Sequence, residues 1–208
     1  MCREMGRTSN ADERLMTAAL DLMWEESYGA VSIDDICKRA GVKKGSFYYF
    51  YESKSALAVA ALERMALAQK AVWDRQFSPT TPPLDRIRAR CEFTYQKQRE
   101  LKAKHGKVLG CPLCSLGSEI CTQDDRIRDK IREICSLNMK YWESTIRDAQ
   151  SEGLIAPGDA AAKARCVFAY YEGLITQARI YNDAELLRNL SDLVLAHLHA
   201  KEPHSAVA

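Results

Sequence analysis

Apolar residues recur along this chain at the spacing of a helix, and nowhere do they alternate as in a strand. Between Ala11 and Ser27, the residues Leu15, Ala18, Ala19, Leu22 and Met23 fall three or four apart, which places them on one helical face, and Tyr28-Gly29 ends the run. Ile33, Ile36 and Ala40, with Cys37 beside them, repeat the pattern over a shorter span. Ser32 supplies an N-cap, Asp34 and Asp35 place negative charge in the first turn, and Lys38 and Arg39 close the last turn. Gly41 then provides the left-handed residue that ends a helix. Lys43, Lys44, Gly45 and Ser46 open a second short helix that continues through Phe47, Tyr48, Tyr49, Phe50 and Tyr51. Two short helices joined by a glycine turn predict a helix-turn-helix.

Ser53 is placed to cap a long helix through Leu57, Ala61, Leu62, Met65 and Ala68 towards Trp73. The stretch Ser78 to Pro83 breaks it, because proline removes donors and biases its neighbours towards extended backbone. Helical spacing resumes from Leu84 to Lys104, stops at His105-Gly106, and restarts after Gly110-Cys111-Pro112 with proline near a helix start. Asp124 to Glu152 reads as one long helix ended by Gly153, and Pro157-Gly158-Asp159 caps another from Ala160 to Tyr181. After an interruption at Asn182-Asp183, a last helix is predicted from Ala184 to His199. Its Leu186, Leu187, Leu190, Leu193, Val194, Leu195 and Leu198 form an apolar surface wider than packing on one side requires. The fold class is all-α.

Composition changes this picture in two places. A formal net charge of +2 over 208 residues is nearly neutral, so any nucleic-acid footprint must be local. It is local: from Cys37 to Lys54 the cations Lys38, Arg39, Lys43, Lys44 and Lys54 face Glu52 alone. The 8 cysteines sit in a chain with no apolar run long enough to span a bilayer and no secretory h-region in Met1 to Asn10, which predicts thiols in a reducing cytoplasm. That polar first segment, with Arg3 and Arg7, is expected to form a short arm.

The stretch Tyr28-Gly29-Ala30-Val31-Ser32-Ile33, through Ala40-Gly41-Val42 and Lys44-Gly45-Ser46-Phe47-Tyr48-Tyr49 to Ser53-Lys54, resembles the TetR family of bacterial transcriptional regulators. Gly110-Cys111-Pro112-Leu113 with Glu119 downstream is similar to the start of the sixth helix in one subgroup, and Glu172-Gly173 to a feature of the eighth. The resemblance implies a three-helix DNA-binding domain over residues 1–53 and an effector-binding and dimerisation domain over 54–208. It implies a homodimer built through the last two helices. It further implies that Ser32 bonds a phosphate, that Lys44, Gly45 and Ser46 face the groove, and that Tyr48, Tyr49 and Lys54 hold the DNA backbone, with Lys43 a further DNA-binding candidate. Lys43 stands where the family often has a small hydroxyl residue, and Phe50-Tyr51 replaces a frequent His-Phe, which removes a polar phosphate contact. Lysines and backbone amides suit phosphate oxygens, and Ser46 and the lysines reach base edges. The alternative is a solvated basic helix over an aromatic core; the agreement of turn, cap, charge and aromatics in one register favours DNA reading.

Two effector readings remain open. Cys111 and Cys114 form a lone C-x-x-C with Cys121 downstream, and a cysteine at a helix N-terminus has a lowered pKa, which suits a thiol sensor of electrophiles or oxidants. Against it stands simple packing, with Cys37, Cys91, Cys135 and Cys166 as buried small hydrophobes. A zinc site on these cysteines stays open with little support, since no second C-x-x-C follows and His105 is the one nearby imidazole; no metal ligand is named and no cofactor is expected. The non-covalent reading is a pocket with Phe93, Leu113, Trp142, Phe168, Tyr171 and Gln177 as candidates, each equally suited to a core. No nucleophile has a recognisable His and Asp constellation, and His197, His199 and His204 cluster at the end of the chain, so no catalytic residue is expected. The sequence thus predicts a cytoplasmic homodimeric repressor, not an enzyme and without a membrane partner, released from operator DNA by a small-molecule effector. A thiol sensor or an activator on the same scaffold is the alternative, and a helical interaction protein without DNA binding is a further one.

Overall fold

A computed structural model describes residues 10–201, and every regular element among them is helical. The elements are α1 (Ala11–Glu25), α2 (Ile33–Ala40), α3 (Lys44–Phe50), α4 (Lys54–Gln76), α5 (Pro83–His105), α6 (Pro112–Ile120), α7 (Asp125–Ser151), α8 (Ala160–Ile180), a 3-10 turn (Ala184–Leu187) and α9 (Leu190–His197). The predicted arm before Asn10 and His204 lie outside the described residues. Two compact units form: one runs up to Leu67 and includes Ser115–Arg132, the other holds Ala68–Cys114 and the chain from Glu133 onward.

In the first unit α1 packs on both α2 and α3, and α2 packs on α3. Leu15, Ala19, Leu22, Ile36 and Phe47 are buried there, which is the inward face that their spacing predicts. Ser32 begins α2 with a capping box: the Asp35 amide donates to Ser32 Oγ at 3.1 Å and the Ser32 amide donates to Asp35 Oδ2 at 2.9 Å. Gly41, with φ of 64°, ends α2. Of the five consecutive aromatics, Phe47 alone is fully buried, and Tyr51 turns inward to hydrogen-bond Asp12 on α1. Ser53 Oγ accepts from the Ala56 amide at 3.1 Å and so caps the start of α4.

The second unit is built around Trp73, Phe77, Ile87, Cys91, Trp142, Ile146, Tyr171 and Leu187. Here α5 and α8 both pack on α9 and on the 3-10 turn. Pro83 opens α5, where its missing N–H costs nothing, and Gly106 closes it with φ of 71°. The proline-rich stretch before α5 is tied down by Arg86. This buried guanidinium donates to Thr81 O at 2.7 Å and to Pro79 O at 3.1 Å, and it pairs with Asp148.

The predicted helix from Ala184 to His199 is two elements. Asp183 accepts from the Glu185 amide at 3.0 Å and starts a 3-10 turn, whose Glu185 carboxylate then accepts from Tyr95 Oη and Arg188 Nε, each at 2.9 Å. Those side-chain bonds favour the tighter turn, and helical hydrogen bonding restarts at Leu190. Leu187, Leu190, Val194, Leu195 and Leu198 face inward, while Leu186 and Leu193 remain 45% and 38% exposed.

Replacing Arg86 with Met should leave two loop carbonyls and Asp148 without their donor. A fully buried pair broken on one side costs about 3–5 kcal/mol, and since the Asp148 side chain is 38% exposed the expected loss is lower, roughly 2 kcal/mol. Urea unfolding checks this, with an unchanged midpoint as the contrary result.

Candidate functional site

The exposed residues of α3 form a polar strip. Lys43 precedes the helix in extended backbone with φ of −78° and ψ of 150°. Lys43, Lys44 and Gly45 are exposed, Ser46 is half-buried, and among the described residues no neighbour outside its own helix backbone lies within 4 Å of a Cβ built on Gly45, so this backbone is open to approach. Tyr48 and Tyr49 are 54% and 82% exposed. Lys44 Nζ pairs with Asp34 Oδ1 at 2.9 Å, and that hydrogen bond raises its pKa. Ser32 sits at the start of α2 with its hydroxyl engaged in the cap described above.

Lys54 stands apart from this strip. Its ammonium donates to Tyr28 O at 2.8 Å and Val31 O at 2.9 Å and lies 4.1 Å over the Tyr28 ring. Burial lowers its pKa. The same connection between α1 and α2 is held from its amide side by Glu119 of α6, whose carboxylate accepts from Tyr28 N at 2.8 Å and Gly29 N at 2.7 Å. A Cβ on Gly29 would meet Glu119 Oε1 at 3.1 Å, so glycine allows the close approach. Sequence spacing carried no signal for this contact, because the partners lie ninety residues apart.

In the second unit three consecutive residues before α6, Val108 to Gly110, are each held by a side chain. Gly110, with φ of 72°, exchanges two hydrogen bonds with the Gln98 amide, at 2.9 and 3.0 Å. Arg179 donates to Leu109 O at 2.9 Å, and the Val108 amide donates to Asn182 Oδ1 at 2.8 Å. This rigid segment delivers Cys111 beside Cys114 in the first turn of α6. The Cys114 thiol donates to Glu172 Oε2 of α8 at 3.3 Å. The ligand atoms of Cys111, Cys114 and Glu172 all lie within 4.8 Å of one another.

The hydrogen bond with Cys111 and then burial raise the pKa of Cys114, and burial raises that of Glu172. This reverses the lowering expected at a helix N-terminus: desolvation and neighbouring negative charge outweigh the dipole. Cys91 behaves as the packed hydrophobe expected, its thiol pushed up to about 12 by burial. Cys166 does not, since it is exposed on α8, and Cys135 is half-buried.

Among the candidate pocket residues the structure brings Trp142, Tyr171 and Phe168 together, with ring centroids 5.4 Å apart for Trp142 and Tyr171 and 6.4 Å for Phe168 and Tyr171. Leu113 is buried, whereas Phe93 and Gln177 lie exposed. The Tyr171 hydroxyl pairs with Thr94, and burial raises its pKa. Trp142 Nε1 and Thr145 Oγ1, three residues apart on α7, are buried without a hydrogen-bond partner among the described residues. Arg90 lies 3.9 Å over the Trp73 ring, and its charge acts on Tyr171 and Glu172.

The family model for bacterial regulatory proteins of the tetR family matches residues 15–61, and the model for the tetracyclin repressor-like C-terminal domain matches residues 83–194. The chain belongs to the TetR family. It is a DNA-binding, helix-turn-helix transcriptional regulator of that family, all-α as predicted. It is 30% identical to the transcriptional regulator AcuR of Cereibacter sphaeroides over 83% of this chain and 78% of the relative. It is 27% identical to the transcriptional repressor NemR of Escherichia coli K12 over 89% and 90% of the two chains. Among solved structures, a regulatory protein TetR from Rhodobacter sphaeroides superposes with a TM-score of 0.79 at 28% identity, covering 91% of this chain and 99% of the other. Reduced E. coli NemR superposes with a TM-score of 0.77 at 24% identity, covering 94% and 99%. TetR-family regulators bind operator DNA and dimerise, and among the described residues no helix is long and apolar enough to cross a membrane.

Glu119→Ala should strip the Tyr28 and Gly29 amides of their acceptor, at a cost of about 1–3 kcal/mol. Hydrogen exchange at those two amides should accelerate relative to α1, and unchanged protection would show that Glu119 does not hold them.

Proposed function

We propose that this regulator is a homodimeric repressor, working in the cytoplasm and released from its operator by a small-molecule effector. The observation that carries the reading is the exposed strip at the start of α3, in which Lys43, Lys44 and Gly45 are exposed and Ser46 is half-buried beside them, while Phe47 anchors the helix from behind. These four residues face the major groove, and Ser32, Tyr48 and Tyr49 bond flanking phosphates. Lys54 acts differently: by holding the connection between α1 and α2 it positions the reading helix, and its ammonium is already engaged. Residues 1–53 serve DNA and residues 54–208 serve the effector and the dimer. NemR, at 27% identity, is a repressor, which supports the sign of regulation.

The effector site centres on the Trp142, Tyr171 and Phe168 rings, where the unpartnered Trp142 Nε1 and Thr145 Oγ1 offer polar contacts inside an apolar setting. Effector binding releases DNA by favouring a dimer geometry that no longer matches the spacing of the half-sites. The dimer forms through α8 and α9, as the exposed row Cys166, Ala169, Gly173, Thr176 and Ile180 on α8 and the exposed Leu193 on α9 support. Thiol sensing is the second reading. Its supporting observation is the Cys114 to Glu172 hydrogen bond, which gives the thiol a nearby proton acceptor; electrophile-triggered release that survives in both Cys111→Ser and Cys114→Ser would remove it.

Two measurements test the main reading. Lys44→Ala should weaken operator binding in a salt-titrated gel shift and lower the slope of log affinity against log salt by about 1; equal affinity at every salt concentration would exclude Lys44. Gly173→Arg should convert the dimer to monomers in sedimentation while the fold persists, because among the described residues no neighbour outside its own helix backbone lies within 4 Å of a Cβ at this position. A dimeric Gly173→Arg protein would exclude this face.

A further inference from the structure

We infer that Cys111, Cys114 and Glu172 form a binding site for a soft divalent metal ion of the zinc type. A tetrahedral zinc ion has bonds of about 2.3 Å to sulfur and about 2.0–2.2 Å to carboxylate oxygen, which sets its ligand atoms roughly 3.5–3.8 Å apart. The three candidate donors lie within 4.8 Å of one another, and Cys114 Sγ and Glu172 Oε2 are already 3.3 Å apart. Only a small inward movement closes the site.

The chemistry of the donors selects the class of ion. Two thiolates favour zinc or cadmium over the hard cations magnesium, calcium and manganese, and with the carboxylate they supply three negative charges for a dication. As the metal–sulfur bonds form, the two thiol protons pass to solvent, together with any proton on Glu172. Three protein ligands leave a fourth position for water, the arrangement of an open site.

The surroundings also suit a metal. The segment that presents Cys111 is held by the Gln98 amide on Gly110, by Arg179 on Leu109 and by Asn182 on Val108. Such fixed supporting contacts are what orient ligands before the ion arrives. The lone C-x-x-C lacks a second pair in sequence, yet the fold supplies a third ligand 58 residues downstream. The inference goes beyond the effector reading and does not depend on it, since none of these three side chains is needed to read DNA.

The test uses the reduced full-length protein, stripped of metal by chelation and titrated first with Co2+ and then with Zn2+. One Co2+ per chain should bind with a thiolate-to-cobalt absorption band, and Zn2+ should bleach it. Cys111→Ser and Cys114→Ser should each diminish that band, and Glu172→Gln should weaken Zn2+ binding by at least about tenfold. Metal-free operator binding by the variants reports that they fold. X-ray absorption on the zinc-loaded wild-type protein, which requires no variant, should count two sulfur ligands with oxygen in the remaining positions. Absence of the thiolate band in the wild type, a different sulfur count, or equal Zn2+ affinity in a folded Glu172→Gln protein would overturn the site. Failure of the wild-type protein to bind operator would instead overturn the proposed repressor and leave the metal result standing.

Discussion

The reading helix depends on how four backbone groups between α1 and α2 are satisfied. The Tyr28 and Gly29 amides and the Tyr28 and Val31 carbonyls belong to no helix, and a backbone group withdrawn from water needs a partner. Glu119 takes the amides and Lys54 takes the carbonyls, so a carboxylate and an ammonium grip one short connection by its two kinds of polar group. The two side chains differ in kind because the amides need an acceptor and the carbonyls need a donor. The capping box of Ser32 and Asp35 begins immediately after this connection, so the direction in which α2 starts, and with it the seat of α3, is set here.

The segment before α6 follows the same rule, with neutral amides at Gly110 and Val108 and the Arg179 guanidinium at Leu109. Gln98 is the side chain suited to Gly110, because an amide both donates and accepts and thereby satisfies the N–H and C=O of a single residue. The positive φ of Gly110 turns both groups towards Gln98, and Arg179 packs so close that a Cβ there would meet its Cδ at 3.2 Å. Cys111 therefore arrives at Cys114 and Glu172 by backbone geometry. Polar groups fixed in this way move little, which is what a ligand-binding constellation requires.

Much of this was legible in the sequence, and the illegible part has a common cause. Periodicity and caps placed the helices, and Ser32, Gly41 and Ser53 perform the terminal roles their chemistry predicts, because such signals are local. The last helix was misjudged because its apolar spacing runs on through a turn that Asp183 and Glu185 tighten with side-chain bonds. Glu119 and Glu172 could not be given their roles from spacing, since each acts on residues more than fifty positions away. The raised pKa of Cys114 is partly local and partly tertiary: its first cause is the hydrogen bond with Cys111, three residues away, whereas the burial and the Glu172 carboxylate that add to it are tertiary.

Lys44 and Lys54 show how far burial divides residues of equal charge. The Lys44 pair with Asp34 is exposed on both sides, and such pairs are worth little, so a phosphate can take over the ammonium at small cost. Lys54 is half-buried with two carbonyls and a ring as partners, and moving it to a phosphate would leave those carbonyls unsatisfied. In the proposed DNA-reading role, Lys44 is available because its present partner holds it weakly, while Lys54 acts by remaining where it is. In that proposed role, with Phe50 in place of a polar residue, the electrostatic grip of α3 falls on Lys43 and Lys44, and the hydroxyls of Ser46, Tyr48 and Tyr49 supply contacts that salt screens less.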